Sequence, residues 1–216
     1  MSTIEDREAA FIGKITAGAT HELRNVLAIV KESAGLIEDI VNSPDKPGTA
    51  KADRLLRAVE RIRDQVKRGS ELLTSLNRFA HSLDHAEDET DLNEMAELLS
   101  SLCQRVARRG RHHVEAQPGD QALTVVANLL RLQMALHAAV DCCLEQLPER
   151  GKLTFKPIRH GGRPALEFNG ESEGEAVTFA PTEAAAWSRL AAVLDDLGAS
   201  VERVEAAQGF RLTLSG

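Results

Sequence analysis

A long proline-free stretch near the start of the chain, in which apolar residues recur at helical spacing, sets narrow limits on the fold. Between Glu5 and Asn42, apolar or small residues return every three or four positions, which is the period of one helix face. These residues are Ile12, Ile15, Ala19, Leu23, Val26, Val30, Ser33, Ile37 and Ile40. The spacing predicts one long amphipathic helix, begun by a capping box of Ser2 with Glu5.

A second stretch with the same period follows a short connection. The first helix is predicted to stop at Asn42-Ser43-Pro44, with Pro47-Gly48 beyond, and the period resumes from Thr49 to Asp84. Its apolar positions are Leu56, Val59, Ile62, Val66, Leu73, Leu76, Ala80 and Leu83. The two stretches predict an antiparallel helical hairpin. Because two helices packed only on each other leave much apolar surface wet, we expect two chains to pair as a homodimer with a four-helix bundle.

The rest of the chain mixes helical and strand-like patterns. The polar run 85–91 lacks an apolar period and suggests a linker, so we predict a dimerisation domain over 1–86 and a second domain over 91–216. The second domain is predicted to form helices at 92–109, 127–147 and 183–197, strands at 112–116, 152–157, 164–169 and 175–179, and a closing hairpin. The whole is an α+β fold, a helical hairpin followed by an α/β sandwich with helices on one face of a sheet.

Charge and composition exclude several classes of function. The net charge of -7, without a basic patch, argues against a nucleic-acid partner. No segment approaches the roughly 20 consecutive apolar residues that a membrane span needs, and the N-terminus has no signal pattern. The three cysteines lack a C-x-x-C spacing, so neither a disulfide framework nor a metal site is expected. We expect a cytoplasmic protein.

One polar residue of the first helix has chemical interest. Advancing about 100° per residue from Ala19 places His21 on the solvent side, with Asn25 one turn further along and Glu22 beside them. A neutral imidazole is a good nucleophile near its usual pKa of about 6.5. A carboxylate can accept its other ring proton, and an amide can position a water or a phosphoryl oxygen. Position alone favours an ordinary exposed histidine, because exposed polar residues on helices are the norm.

The surrounding sequence decides between these interpretations. Gly13-Lys-Ile-Thr-Ala-Gly-Ala-Thr-His21-Glu-Leu-Arg-Asn25-Val-Leu-Ala-Ile-Val resembles the phospho-acceptor box of sensor histidine kinases. Val26-Leu27 stands where the family usually has a proline, so we expect no helix kink there. The resemblance implies that His21 is the phospho-acceptor, that Glu22 is its acid/base neighbour, and that Asn25 serves in dephosphorylating a partner.

The same resemblance implies an ATP-binding sandwich after the hairpin, but its site is degraded. Segment 127–141 looks like the first nucleotide-contacting helix, with His137 and Asp141 in place of two asparagines. Asp141 offers an oxygen ligand suited to Mg²⁺, yet two polar residues at this spacing serve equally well to cap a helix against the sheet. Where the family has a glycine turn, this chain has Asn169-Gly170-Glu-Ser-Glu-Gly174, whose acidic residues would repel a triphosphate. The segment before the next helix is also too short for the family's mobile lid over the phosphates.

These features predict a histidine phosphotransferase that exchanges a phosphoryl group between His21 and the aspartate of response-regulator receiver domains. It would bind no ATP, cofactor or metal tightly, and Mg²⁺ is expected on the receiver. A phosphatase role for the same surface is compatible with this hypothesis. The alternatives are a pseudokinase scaffold that acts by binding alone and an ATP-dependent autokinase. The sequence does not decide the direction of transfer, the identity of the receivers, or whether the two domains act within one chain or across the dimer.

Overall fold

The structure is a computed structural model that describes residues 3–44, 48–84, 87–205 and 208–215. Contacts divide the chain into two units: a hairpin unit, Gly13–Asn77, and a sandwich unit formed by the start of the chain through Ile12 and by everything from Arg78 onward. The domain boundaries at 86 and 91 stay a prediction. The predicted cap Ser2, the predicted stop residue Pro47 and residues 85 and 86 of the predicted linker lie outside the described residues.

Two long helices form as the sequence predicted. They are α1 (Ile4–Asn42), which has no break at Val26-Leu27, and α2 (Thr49–His81). At the start of α1 the Thr3 amide donates to the Asp6 carboxylate at 3.0 Å, and the Asp6 amide donates to the Thr3 hydroxyl at 3.2 Å. This reciprocal pair is a capping box one residue later than the predicted one.

Within the hairpin unit the two helices bury a narrow seam. On α1 the buried positions are spaced by four, three and four residues from Ile15 to Val26 and then by seven residues to Ser33 and to Ile40, which is a seven-residue repeat like that of coiled-coil packing. The seam residues of α1 are Ile15, Ala19, Glu22, Val26, Ser33 and Ile40. On α2, Ala58 and Gly69 face them. A Cβ at Gly69 would lie 3.2 Å from Cγ1 of Val26, so this glycine lets the helices approach closely.

A second apolar row on the hairpin unit is exposed in the single chain. On α2 it comprises Leu56, Val59, Val66 and Leu73, which are 42% to 60% exposed, and on α1 it includes Leu27, 65% exposed, and Val41, 60% exposed. We call these six residues the outer stripe. The hairpin thus buries one apolar row and leaves another in contact with solvent.

Beyond the ends of α1 and α2 that it includes, the described part of the sandwich unit contains three further α-helices and two sheets. The helices are α3 (Leu92–Arg109), α4 (Leu129–Leu144) and α5 (Trp187–Leu194). The strands are β1 (Asp88–Asp91), β2 (His113–Ala116), β3 (Thr124–Ala127), β4 (Lys152–His160), β5 (Arg163–Ser172), β6 (Glu175–Val177), β7 (Ser200–Val204) and β8 (Gly209–Thr213). The single helix predicted over 183–197 is wrong in detail, because one-turn 3₁₀ segments at Pro181–Glu183 and Asp195–Leu197 flank a short α5.

The main sheet has the strand order β2-β4-β5-β8-β7, with β6 paired to β5. β2 runs parallel to β4, and the other pairs are antiparallel. Alternate residues of β4 point inward, and its Phe155 meets Phe168 of β5, which in turn stacks on Phe210 of β8 in the core. Buried side chains of α3, α4 and α5 cover this face. The predicted sandwich with helices on one face of a sheet is confirmed.

A small second sheet corrects the linker prediction. β1 pairs antiparallel with β3, with Asp88 opposite Ala127 and Asp91 opposite Thr124. Residues 88–91 are therefore a strand, although they are polar, because backbone pairing needs no apolar alternation. Asp91 also caps α3: its carboxylate accepts from the Asn93 amide at 3.0 Å and from the Leu123 amide at 3.2 Å.

Candidate functional site

His21 lies in the hairpin unit with its imidazole exposed to solvent. Its Nδ1 is 3.3 Å from Nδ2 of Asn25, one helical turn further along and also exposed. An amide presents a donor on one side and an acceptor on the other, so it can hold either tautomer of the ring. In the structure the amide nitrogen faces Nδ1 and can donate to it. With the amide turned by 180°, its oxygen would accept the Nδ1 proton and the lone pair would lie on Nε2, the nitrogen that points away from this contact.

Glu22 does not share the solvent-facing surface of His21, contrary to the prediction. Its residue exposure is only 9%, and its carboxylate accepts a hydrogen bond from the guanidinium of Arg68 on α2. The physical reason is the register of the seam. Buried positions step from Ala19 to Glu22 and then to Val26, whereas the predicted Leu23 is only partly buried. Asn25, and not Glu22, is thus the side chain that contacts the histidine ring.

Arg68 is a residue that the sequence reasoning missed. Its side chain is 34% exposed, whereas that of Glu22 is 11% exposed, so the pair runs from the seam toward the surface. The partners are 46 positions apart, and the only available signal was a basic residue on the second helix opposite a carboxylate at a seam position. The hairpin register had to be known before they could be matched.

The two vestigial candidates of the second domain, His137 and Asp141, are buried on α4. Oδ2 of Asp141 lies 2.9 Å from a guanidinium nitrogen of Arg189 on α5, and Oδ1 lies 3.7 Å from Nδ1 of His137. The ring of Phe11, which belongs to the same unit, packs edge-on against His137 with centroids 5.6 Å apart. The structure brings these residues together as internal packing and ion pairing, and the carboxylate oxygens face protein partners.

The glycines of the predicted nucleotide turn also have structural roles. Gly170 lies in β5, where a Cβ would be 2.4 Å from Cζ of the buried Phe179. This glycine therefore admits an aromatic ring to the core. Gly174 has φ +85° in the turn between β5 and β6, beside Glu173 with φ +55°. Such a turn needs glycine for its backbone, without any bound anion.

Comparison with solved structures places the fold. A bacterial phosphotransferase matches with a TM-score of 0.54 at 12% identity, over 96% of this chain and 97% of that chain. The histidine kinase AdeS of Acinetobacter baumannii matches with a TM-score of 0.47 at 16% identity, over 90% of this chain and 97% of that one. The catalytic domain of histidine kinase ThkA matches with a TM-score of 0.47 at 18% identity, over 60% of this chain and 97% of that one.

Over nearly its full length the chain shares the fold of the bacterial phosphotransferase. Neither a protein-family model nor a curated protein matches the sequence. Among the described residues, no helix combines the length and apolar character that crossing a membrane requires.

Proposed function

We propose that the protein is a histidine phosphotransferase of two-component signalling, which exchanges a phosphoryl group between His21 and an aspartate of a receiver domain. The observation that carries the proposal is the exposed His21 ring on a helical hairpin, with Asn25 contacting Nδ1. The direction of exchange follows the relative stability of the two phosphorylated proteins.

The chemistry needs only a positioned nucleophile. The Nε2 lone pair of His21 attacks the phosphorus of the receiver's aspartyl phosphate. The bond between phosphorus and the aspartate oxygen breaks, and that oxygen keeps the electron pair. The ring becomes an N-phosphorylated imidazolium, whose Nδ1 proton the amide oxygen of Asn25 can accept once the amide turns by 180° from the orientation in the structure, where its nitrogen faces the ring. The Mg²⁺ that such a step uses is expected on the receiver, beside the acyl phosphate.

ATP is not the proposed donor. Asp141, the carboxylate best placed for Mg²⁺ by the resemblance, is paired with Arg189 and with His137. Gly170 makes room for Phe179 and not for a ligand. A nucleotide site in this region would first require these internal contacts to be broken, so the second domain is proposed to act as a docking surface for the receiver.

The protein is also proposed to act as a homodimer through the outer stripe. The six half-exposed apolar side chains of the outer stripe form an apolar row, which marks an interaction surface more than scattered surface residues would. Burying this row against a second copy would complete a four-helix bundle. Leu27 lies about 120° around α1 from His21, so this pairing would leave the histidine open to a receiver.

The test separates the two phosphoryl donors. Purified protein is incubated either with labelled phospho-receiver domains freed of nucleotide or with labelled ATP and Mg²⁺. We expect acid-labile, base-stable label from the receiver alone. His21→Ala should abolish labelling, whereas His113→Ala, which removes an exposed histidine from β2, should leave it unchanged. Label from ATP would instead establish an autokinase. Unlabelled protein that still alters receiver output, with or without His21, would establish the scaffold.

A further inference from the structure

The pair of Glu22 and Arg68 occupies a position that the chemistry of His21 does not explain. A carboxylate next in sequence to the phospho-acceptor is buried in the seam of the hairpin, where an unpaired charge is costly. Arg68 is the cation that compensates it, from the opposite helix. The protein therefore keeps a balanced pair of opposite charges directly beside the nucleophile.

That balance matters because phosphorylation places about two negative charges on His21. An uncompensated carboxylate one residue away would repel the incoming phosphoryl group and would destabilise the phosphohistidine. Repulsion of this kind is strongest near the low-dielectric seam. A guanidinium that neutralises Glu22 removes the repulsion without having to touch the phosphoryl group.

We infer that Arg68 is a positioning residue for phosphotransfer: by neutralising Glu22 in the seam, it sets the stability of the phosphohistidine relative to the phosphorylated receiver. The inference rests on the proposed function. It assigns no acid/base step to Glu22, whose carboxylate lies against Arg68, while the ring contact belongs to Asn25.

The experiment measures the equilibrium ratio of phosphohistidine to receiver phosphoaspartate for the intact protein and its variants. Arg68→Met should lower the ratio by on the order of tenfold, the effect of one uncompensated charge at close range in a partly solvated site. The double variant Glu22→Gln with Arg68→Met removes both charges and should restore the ratio to about the wild-type value.

A matched control comes from the same hairpin. Arg61 also reaches across from α2, to Glu32 on α1 at 3.4 Å, but this pair is exposed and three turns of α1 beyond His21. Arg61→Met should therefore leave the ratio unchanged. An equal loss in Arg61→Met and Arg68→Met would show a general effect of net charge and would overturn the inference.

Two further outcomes would also overturn it. An unchanged ratio in Arg68→Met means that the pair does not influence the site, and a double variant as low as the single one means that Arg68 acts directly on the phosphoryl group. Because Arg68→Met removes the cation that contacts the buried Glu22 carboxylate, it can fail to fold. Glu22→Gln alone then supplies the test, since an uncompensated Arg68 should raise the ratio and an unchanged or lower ratio contradicts the inference.

Failure of the proposed function looks different: wild-type protein would take no label at all.

Discussion

Replacing three residues of the outer stripe by alanine should dissociate the proposed dimer. The variant combines Leu56→Ala, Val66→Ala and Leu73→Ala, whose side chains are 60%, 55% and 53% exposed in the single chain. Burying a whole leucine or valine side chain is worth about 1.5 to 3 kcal/mol, so each half-exposed side chain contributes about 1 kcal/mol when a partner covers it. Alanine is a strong helix former, and the hairpin itself should therefore be retained.

Each dimer contains the three positions twice, so the triple variant loses about 6 kcal/mol of association free energy. This loss corresponds to a roughly ten-thousandfold increase in Kd. Sedimentation equilibrium should find a dimer for the wild type at micromolar concentration and a monomer for the variant, with far-UV circular dichroism unchanged. Leu36→Ala, which removes a 40% exposed leucine about 180° around α1 from Leu27, is the matched control and should remain dimeric. A monomeric wild type, or an unchanged variant, would contradict pairing through the outer stripe.

Two more predictions concern groups of the sandwich unit. The amide of Asn93 holds the pKa of the Asp91 carboxyl below its usual 3.8, so the stability that this charge contributes is present above the ordinary pKa and is lost as the pH falls through the lower folded value. Asp91→Asn should therefore differ from the wild type by a constant free energy of unfolding above roughly pH 5, with a gap that narrows below roughly pH 4; urea titrations that show the same gap at every pH would contradict this. Burial raises the pKa of Cys142 to about 12 and that of Cys143 well above its usual value, and Cys103 is buried too. Native protein at pH 8 should stay unmodified by maleimide, whereas mass spectrometry should find three labels on the denatured protein. Rapid labelling of the native protein would show that the cysteines are accessible and would contradict their burial.

Local signals explain why much of the fold was predictable. The bounds of α3, Leu92–Arg109, agree with the prediction because Asp91 caps its start and Gly110 follows its end. The long helices followed from a period sustained over many turns. The predicted strands 152–157 and 164–169 lie within β4 and β5, but these strands extend to His160 and Ser172, where polar residues near the strand ends carry no alternating signal.

What the sequence left undetermined depends on long-range pairing. β1 and β3 are four polar or mixed residues each, and only their mutual pairing makes them strands. Arg189 and Asp141 are 48 positions apart, and no local sequence signal predicts their contact. Among the candidate site residues, the contact between His21 and Asn25 follows from helical spacing alone, whereas the burial of Glu22 required the hairpin register.

His21 is proposed to accept its phosphoryl group from a protein and not from ATP. Phospho-receiver is mixed with nucleotide-free protein, and phosphorus NMR follows the phosphoryl groups of both proteins in the same sample. The proposed function predicts a phosphoimidazole signal on Nε2 that appears as the acyl phosphate disappears and that is missing in His21→Ala. Acyl phosphate that persists beside unmodified wild-type protein, or the same signal in His21→Ala, would contradict it.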